Sequence, residues 1–291
     1  MAASSRVLPP PAMTAVDAGR PPHRQRRRHL PLGLWITLIV ATLYFLVPLL
    51  ATVQFSLDSG QGFSLDPYLA FLTGRELSGD FYRTISYSIL LALLTVAGSL
   101  ALIFPTAYWV NLRLNRFRPV MTFTTFLPFV IPPVILSLAL QQTWSGLPPI
   151  NVALVGTPGF LIGAYVVLSF PYMYGSIDNG LRAMDIHTLT EAAQSLGATL
   201  PMTLWRVILP NLWPAVVSGA LLTFSIVMGE FVLASLFNYF TFPIFLNYTG
   251  QNKAHVAAAL TIVSFAITWF CLGVIQALSR RAPGAGPTIG K

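Results

Sequence analysis

The chain has 291 residues, of which 55% are hydrophobic and only 9% are charged. A soluble domain covers its surface with roughly 25% charged residues, so this composition excludes an ordinary water-soluble fold and indicates a surface that faces lipid. The net charge of +8 does not predict a nucleic-acid partner, because the basic residues follow a membrane-orientation pattern described below.

Six charge-free stretches are long enough to cross a membrane, which takes about 20 apolar residues per helix. Residues 119–177 contain no Asp, Glu, Lys or Arg, and polar and helix-breaking residues near 141–159 divide this run into two spans. We therefore predict an all-α membrane protein. Its six transmembrane helices are predicted near residues 32–56, 84–110, 119–141, 159–178, 213–236 and 256–278.

The first 29 residues are rich in Pro, Ala and Arg, a composition typical of disorder. The apolar run that follows is too long for a signal peptide and has no small-residue cleavage site, so it predicts an uncleaved first helix. We predict three regions: a disordered basic cytoplasmic tail at 1–29, a transmembrane domain at 30–281 and a flexible cytoplasmic tail at 282–291.

The basic residues are distributed unequally between the two sides of the predicted spans. When the spans alternate across the membrane, 14 Lys and Arg fall on the side of both termini and 3 on the other side. Loops that remain in the cytoplasm carry the excess of Lys and Arg. Both termini are therefore predicted to be cytoplasmic.

Residues 179–212 form a long cytoplasmic connection between the fourth and fifth predicted spans. Asp185 or Thr188 is a suitable N-cap for a short helix through residue 196. Glu191 is predicted in the first turn of this helix, where a carboxylate favours the helix dipole. Gly197 is predicted to end it, because glycine tolerates the left-handed conformation of a helix C-terminus.

A second short helix is predicted from about Pro201, since proline is tolerated in a first helical turn, and it is expected to stop before Pro210. Small and apolar residues with helical spacing are predicted to form one face of the first helix, which another surface could approach closely. This face comprises Leu189, Ala192, Ala193 and Leu196.

The sequence from Glu191 to Pro210 resembles the EAA loop, E-A-A-x3-G-x9-I-x-L-P, of the permease subunits of binding-protein-dependent ABC importers. Its only departure is Val207 in place of the usual Ile. Residues 126–136 and 228–236 also look like the third and fifth spans of spermidine/putrescine-type permeases. The resemblance covers roughly residues 30–281, which are thereby identified as an ABC transporter permease domain.

The resemblance implies a multi-pass protein of the bacterial inner membrane, whose loop is a coupling helix that sits in a groove of a cytoplasmic ATPase. It also implies two ATPase copies, a second permease subunit that is a different chain, an extracytoplasmic solute-binding protein and surrounding lipid. ATP and Mg²⁺ would be bound by the ATPase. The residues to which it assigns ATPase coupling are Glu191, Ala192, Ala193, Gly197, Leu209 and Pro210.

The sequence predicts no catalytic site, metal site or cofactor in this chain. It contains no G-x-x-x-x-G-K-[ST] and no H-E-x-x-H motif, so ATP hydrolysis is expected in a separate subunit. Two other classes are open alternatives: an ion-coupled secondary transporter and a membrane-embedded enzyme. The scarcity of charge inside the spans argues against both.

Glu230 is the one acidic residue predicted deep in a span, and intramembrane charge suggests a functional role. It could line a path for a cation, or it could be a structural hydrogen-bond anchor. Tyr172 could face the ligand or lie at the membrane interface. The predicted cargo is a small polar solute, with a polyamine-like cation first and ferric iron, thiamine, phosphonate or an opine as alternatives.

Overall fold

The computed structural model of the chain describes residues 32–58, 62–73, 78–145 and 157–280. Outside the described residues lie the two predicted tails, 1–29 and 282–291. Within the described ranges the regular structure is helical, apart from one antiparallel bridge between Asp58 and Phe63. The predicted all-helical class is confirmed for this part of the chain.

The described residues form eleven helices, numbered here in chain order. They are α1 (Leu32–Ser56), α2 (Asp66–Leu72), α3 (Ser78–Leu112), α4 (Arg118–Val130), α5 (Pro133–Ser145), α6 (Pro158–Ala183), α7 (Ile186–Ser195), α8 (Leu200–Gly229), α9 (Val232–Leu236), α10 (Phe242–Asn252) and α11 (Ala254–Arg280). Five of them, α1, α3, α6, α8 and α11, are long and apolar enough to cross a membrane. A sixth span is present if α4 and α5 cross as one bent pair.

The third predicted span, near residues 119–141, corresponds to a bent pair, because α4 and α5 meet at an angle of 99°. The break lies at Ile131, whose φ of −86° and ψ of 119° are extended. Ile131 precedes Pro132, and the proline ring disfavours the helical conformation of the residue before it. The two consecutive prolines, Pro132 and Pro133, thus end α4 and begin α5.

Two compact units divide the chain, one that ends at Pro48 and one that begins at Leu49. In the first unit the apolar side chains of α1 are exposed, with Tyr44 at 75% and Phe45 at 70%. A continuous apolar surface of this kind is covered by lipid or by another protein. The exposure therefore fits the predicted membrane span.

In the second unit α3, α6 and α8 pack against one another and enclose most of the buried side chains. One apolar cluster centres on residues such as Phe71, Leu161 and Phe245. The other lies next to α7 and includes Tyr108, Ile177 and Ile208. The second cluster provides the support on which the surface helix α7 rests.

Candidate functional site

The loop between α6 and α8 contains the short helix α7, as the sequence predicts. Asp185 is its N-cap: one carboxylate oxygen accepts from the Thr188 backbone N–H at 3.2 Å and the other accepts from the Thr188 hydroxyl at 2.7 Å. These hydrogen bonds hold the pKa of Asp185 below its usual value. The cap is therefore made by the charged carboxylate.

Gly197 ends α7 in the left-handed conformation, with φ of +83°. Its N–H donates to the Gln194 carbonyl at 2.9 Å, and the Ala198 N–H donates to the Ala193 carbonyl at 3.0 Å. This pair of bonds satisfies the last carbonyls of the helix in the way that a C-terminal glycine makes possible. The predicted helix–glycine element is present.

Glu191 does not lie in the first turn of α7. The helix begins at Ile186 because Asp185, and not Thr188, is the cap, so Glu191 is its sixth residue. Its side chain is exposed. The predicted contact with the positive end of the helix dipole is wrong, since that effect is confined to the first turn.

The single face predicted for α7 is divided between the protein interior and the surface. Ala193 is buried and Leu189 is half-buried against the apolar cluster beneath the helix. Ala192 and Leu196 are exposed, Leu196 at 89%. Because successive residues turn by about 100°, Ala193 lies on the inner side and Ala192 lies on the outer side.

The second short helix predicted from Pro201 is not separate, since residues Leu200–Gly229 form one continuous helix. A π-helical segment at Leu204–Ile208 widens the helix, and the Leu209 N–H donates to the Leu204 carbonyl. Pro210 therefore continues the helix without the clash that an α-helical turn would cause. Leu209 and Pro210 are half-buried within this helix.

A cavity of about 440 Å³ opens between the end of α3 and the side of α7. Its lining is polar and contains charges of both signs, from Arg113 and Glu191. The other lining residues are Leu112, His187, Thr190 and Gln194. Glu191 thus borders both this cavity and the outer surface of α7.

Glu230 lies where α8 stops, and the predicted fifth span through residue 236 is therefore wrong. The helix ends at Gly229, and the Glu230 carboxylate then caps α9. One oxygen accepts from the Leu233 N–H at 2.8 Å, and the other accepts from the Ala234 N–H at 3.2 Å. The side chain supplies acceptors that the interrupted backbone would otherwise lack.

The second oxygen of Glu230 also accepts from the Tyr165 hydroxyl of α6 at 2.9 Å. Glu230 is 9% exposed. A buried carboxylate with three donors from its own chain has the geometry of a structural anchor, so the structure favours that alternative over a path-lining charge. Tyr172 lies two turns further along α6, half-buried, with its ring 5.1 Å from the Phe129 ring of α4.

The sequence reasoning missed a second buried carboxylate, Asp178 of α6, which is 7% exposed. Its oxygens accept from the Asn111 side-chain amide at 2.9 Å and from the Arg118 guanidinium at 2.5 Å. One signal was present in the sequence: Arg118 and Asp178 are the charged residues that border the charge-free run 119–177.

The fold and the loop together define a class: a multi-pass helical membrane protein whose last two long helices are preceded by a capped helix–glycine element. Residues 100–282 match the family described as binding-protein-dependent transport system inner membrane component, and the chain belongs to this family. This family comprises inner membrane components of transport systems, so the chain is a membrane transport component.

Curated relatives include permeases of two kinds of transport system. The chain is 26% identical over 186 residues to the spermidine/putrescine transport system permease protein PotB of Salmonella typhimurium, a match that covers 60% of this chain and 63% of PotB. It is 29% identical over 197 residues to the probable sulfate transport system permease protein cysT of Nephroselmis olivacea, covering 65% and 67%. The chain thus spans less than two thirds of the PotB relative.

A solved structure has the same fold. This is a chain of a bacterial ABC transporter involved in the import of the acidic polysaccharide alginate, with a TM-score of 0.66 at 14% identity. The likeness covers 86% of this chain and 94% of that chain. It supports the helical permease architecture described above.

Proposed function

We propose that this chain is the permease subunit of an ATP-driven importer that carries a small polar solute across the inner membrane. The observation that carries the proposal is the element α7–Gly197. Its inner side is anchored on the apolar cluster through Ile186 and Leu189, and its outer side presents Glu191, Ala192 and Leu196. An anchored helix with an exposed outer side is suited to receive force from a partner.

The partner that we propose for this outer side is an ABC ATPase, present in two copies, which binds ATP and Mg²⁺. The exposed carboxylate of Glu191 would face a basic residue of the ATPase. Because Gly197 has no side chain and Ala192 has a small one, they would allow the ATPase to approach the helix backbone closely. Ala193, Leu209 and Pro210, which pack within this chain, would shape the element without touching the ATPase.

We further propose that a second permease chain and an extracytoplasmic solute-binding protein complete the importer. Exposed apolar side chains on α4 and α5, such as Phe123, Val130 and Ile135, offer a surface for lipid and for a second permease. The positive charge on the side of the termini supports cytoplasmic termini. A loop on that side is accessible to a cytoplasmic ATPase.

For the cargo we propose a polyamine-like cation, because the sequence resembles spermidine/putrescine permeases. The structural role of Glu230 removes the electrostatic argument for a cation, so this proposal depends on likeness alone. A sulfate-like anion is the second candidate, since a relative covering 65% of this chain is named as a sulfate permease. Tyr172 is proposed as a path-lining side chain, because it is half-buried on α6 and oriented towards α4.

Replacing Glu191 by Lys tests the docking proposal. The ATPase of the same transport system would be co-expressed, and its co-purification with the full chain would be measured. A lysine placed opposite a basic residue of the ATPase costs several kcal/mol of binding free energy. We therefore expect the amount of bound ATPase to fall by about tenfold or more. Asp66→Lys, the same reversal at an exposed residue of α2, is the matched control. Equal ATPase binding in the Glu191 and Asp66 variants would refute the docking proposal.

Uptake assays distinguish the two cargo candidates. Cells that lack this gene, and cells that carry it, would be given radiolabelled spermidine or radiolabelled sulfate. We expect gene-dependent uptake of spermidine and none of sulfate. Gene-dependent uptake of sulfate alone would replace the first candidate with the second.

A further inference from the structure

A set of polar contacts connects α7 to α4 through the helices between them. The Thr190 hydroxyl of α7 is 3.0 Å from the Tyr108 hydroxyl of α3. Further along α3, the Asn111 amide donates to Asp178 of α6, which is paired with Arg118 at the start of α4. These five residues are called the α7–α4 polar network below.

Within α3 the two halves of the network are joined through the helix backbone. Tyr108 and Asn111 are three residues apart, so their side chains lie on one face of α3. The Asn111 amide also donates to the Ala107 carbonyl at 2.9 Å, which holds the side chain against its own helix. A displacement of Tyr108 therefore moves Asn111 with it.

Burial makes the network resistant to separation. Tyr108 is 0% exposed, Thr190 is 3% exposed and Asp178 is 7% exposed. Polar groups in such positions have little water to replace a lost partner, so each contact is costly to break. For the ion pair of Asp178 and Arg118, a separation would leave the aspartate charge buried without its counter-ion.

We propose that these five residues are positioning residues that transmit a movement of α7 to the bent pair of α4 and α5. The inference rests on the proposed function, in which a partner ATPase moves α7. Arg118 is the first residue of α4, and the bend at Ile131 ends the same helix. A pull on Arg118 acts at one end of α4, and the break at Ile131 allows α4 to move relative to α5.

Distances between spin labels test the transmission without knowledge of the cargo. The only cysteine in the sequence, Cys271, would be replaced by Ala, and label pairs would be introduced at exposed positions. The first pair, Gln194 with Trp269, reports α7 from outside the proposed docking side, and the second, Phe123 with Trp269, reports α4. The permease, assembled with its co-expressed ATPase, would be compared with and without ATP, Mg²⁺ and vanadate.

In the otherwise unmodified network, trapping with ATP and vanadate is expected to change both distances by about 1–5 Å, between a small helix shift and a displacement of one turn. The variants Tyr108→Phe, Thr190→Val and Asp178→Asn are expected to keep the change at Gln194 and to reduce the change at Phe123. Tyr82→Phe, at an exposed tyrosine of α3, is the matched control and is expected to keep both changes.

Three results would overturn the inference, and they are distinguishable. Network variants that keep both changes show that movement reaches α4 by another route. Variants that lose both changes show that the network only holds α7 in place. If the unmodified network shows no change at Gln194, the proposed function itself fails and the inference fails with it.

A measurement on a double variant separates the transmission of movement to α4 from a general loss of protein stability. ATP shifts the populations of the Phe123–Trp269 distance, and the double variant Tyr108→Phe with Asp178→Asn should reduce this shift no more than the stronger single variant does. The reason is that residues in one network act non-additively. Each single variant should reduce that shift about 2- to 30-fold, the range seen for mutations between coupled sites. Independent, additive losses would contradict a shared network.

Discussion

Two carboxylates lie buried at the ends of long helices, and each is held by donors from another helix. Glu230 accepts from Tyr165 of α6 and from two backbone N–H groups of α9. Asp178 accepts from Asn111 of α3 and from Arg118 of α4. In each case the negative charge links elements that are distant in the sequence, since each acceptor satisfies donors that burial has separated from water.

The anchor role of Glu230 predicts different results for two substitutions. Glu230→Leu leaves buried hydrogen-bond donors without acceptors, and each such group costs about 1–3 kcal/mol of stability. This variant should therefore lower the melting temperature of the detergent-solubilised protein. Glu230→Gln retains a carbonyl acceptor of nearly the same shape and should lose less stability. It should also retain most of the solute uptake. Loss of uptake in Glu230→Gln with an unchanged melting temperature would instead place Glu230 in the transport path.

The Asp185 cap predicts a pH dependence of the stability of α7. Hydrogen bonds from Thr188 depress the pKa of Asp185 in the folded protein. A depressed pKa means that the cap stabilises α7 above the ordinary aspartate pKa and loses this effect as the pH falls through the folded pKa. Protection factors for hydrogen exchange of the α7 amides should therefore decrease in acid.

Two variants at Asp185 provide the controls. Asn is as good an N-cap as Asp, so Asp185→Asn should keep the protection of α7 and remove its pH dependence. Asp185→Ala should reduce the protection at every pH. An unchanged pH dependence in Asp185→Asn would show that another group is responsible.

At the scale of helices, the contact between α6 and α8 depends on a glycine. A Cβ added to Gly180 would lie 2.4 Å from the Ala215 Cβ and 2.6 Å from the Leu212 Cδ1. Non-bonded carbon atoms do not approach this closely, so α6 and α8 would have to shift relative to each other or their side chains would have to rearrange. The absence of a side chain at Gly180 is therefore what allows α6 and α8 to approach each other beside α7.

Gly180→Ala should destabilise the protein by about 1–3 kcal/mol, the usual effect of overpacking. The melting temperature of the solubilised protein measures this loss. Gly175→Ala, in the same helix with nothing within 4 Å of the added Cβ, is the control and should change little. Ala215→Gly should partly rescue Gly180→Ala, because it removes the nearest clashing atom. Equal melting temperatures for the Gly175 and Gly180 variants would contradict this packing.

At the scale of the whole molecule, the distribution of charge predicts which ends of the helices face the cytoplasm. The exposed residue Leu196 follows α7, and the exposed residue Phe63 precedes α2. They are separated by α3, the bent pair and α6. If that stretch contains three crossings, the two residues lie on opposite sides of the membrane.

Cysteines introduced at these two positions test the topology, after Cys271 is replaced by Ala. In intact cells an impermeant thiol reagent should label a cysteine at Phe63 and should not label one at Leu196. Permeabilised cells should show labelling at both positions, which controls for reactivity. Labelling at Leu196 in intact cells would overturn the proposed orientation and the proposed ATPase contact together.

Much of the fold could be predicted from composition and local pattern. Long apolar runs predict helices because buried backbone groups in lipid must be paired within their own segment. The start and end of α7 could be predicted because Asp185 and Gly197 act through bonds to residues only a few positions away. Such interactions are contained in a short stretch of sequence.

Other features could not be predicted because they depend on helices that are far apart in the chain. The sequence left Glu230 open between path and anchor, and the hydroxyl of Tyr165, 65 residues earlier, favours the anchor. The inner and outer sides of α7 could not be assigned before the structure showed Ile186 and Leu189 packed in the apolar cluster beneath the helix. The π-helical segment that accommodates Pro210 could likewise not be predicted, because it forms only within the continuous helix Leu200–Gly229.

The sequence by itself determined a helical membrane protein with a capped loop helix between its fourth and fifth predicted spans. These properties follow from hydrophobic length and from local capping, which act over one helix or less. Only the tertiary structure decided which side of α7 is exposed, where the fifth span ends, and which partners hold Asp178 and Glu230. The reason is physical, since a buried charge or a close helix contact is stable only with the particular groups that folding brings beside it.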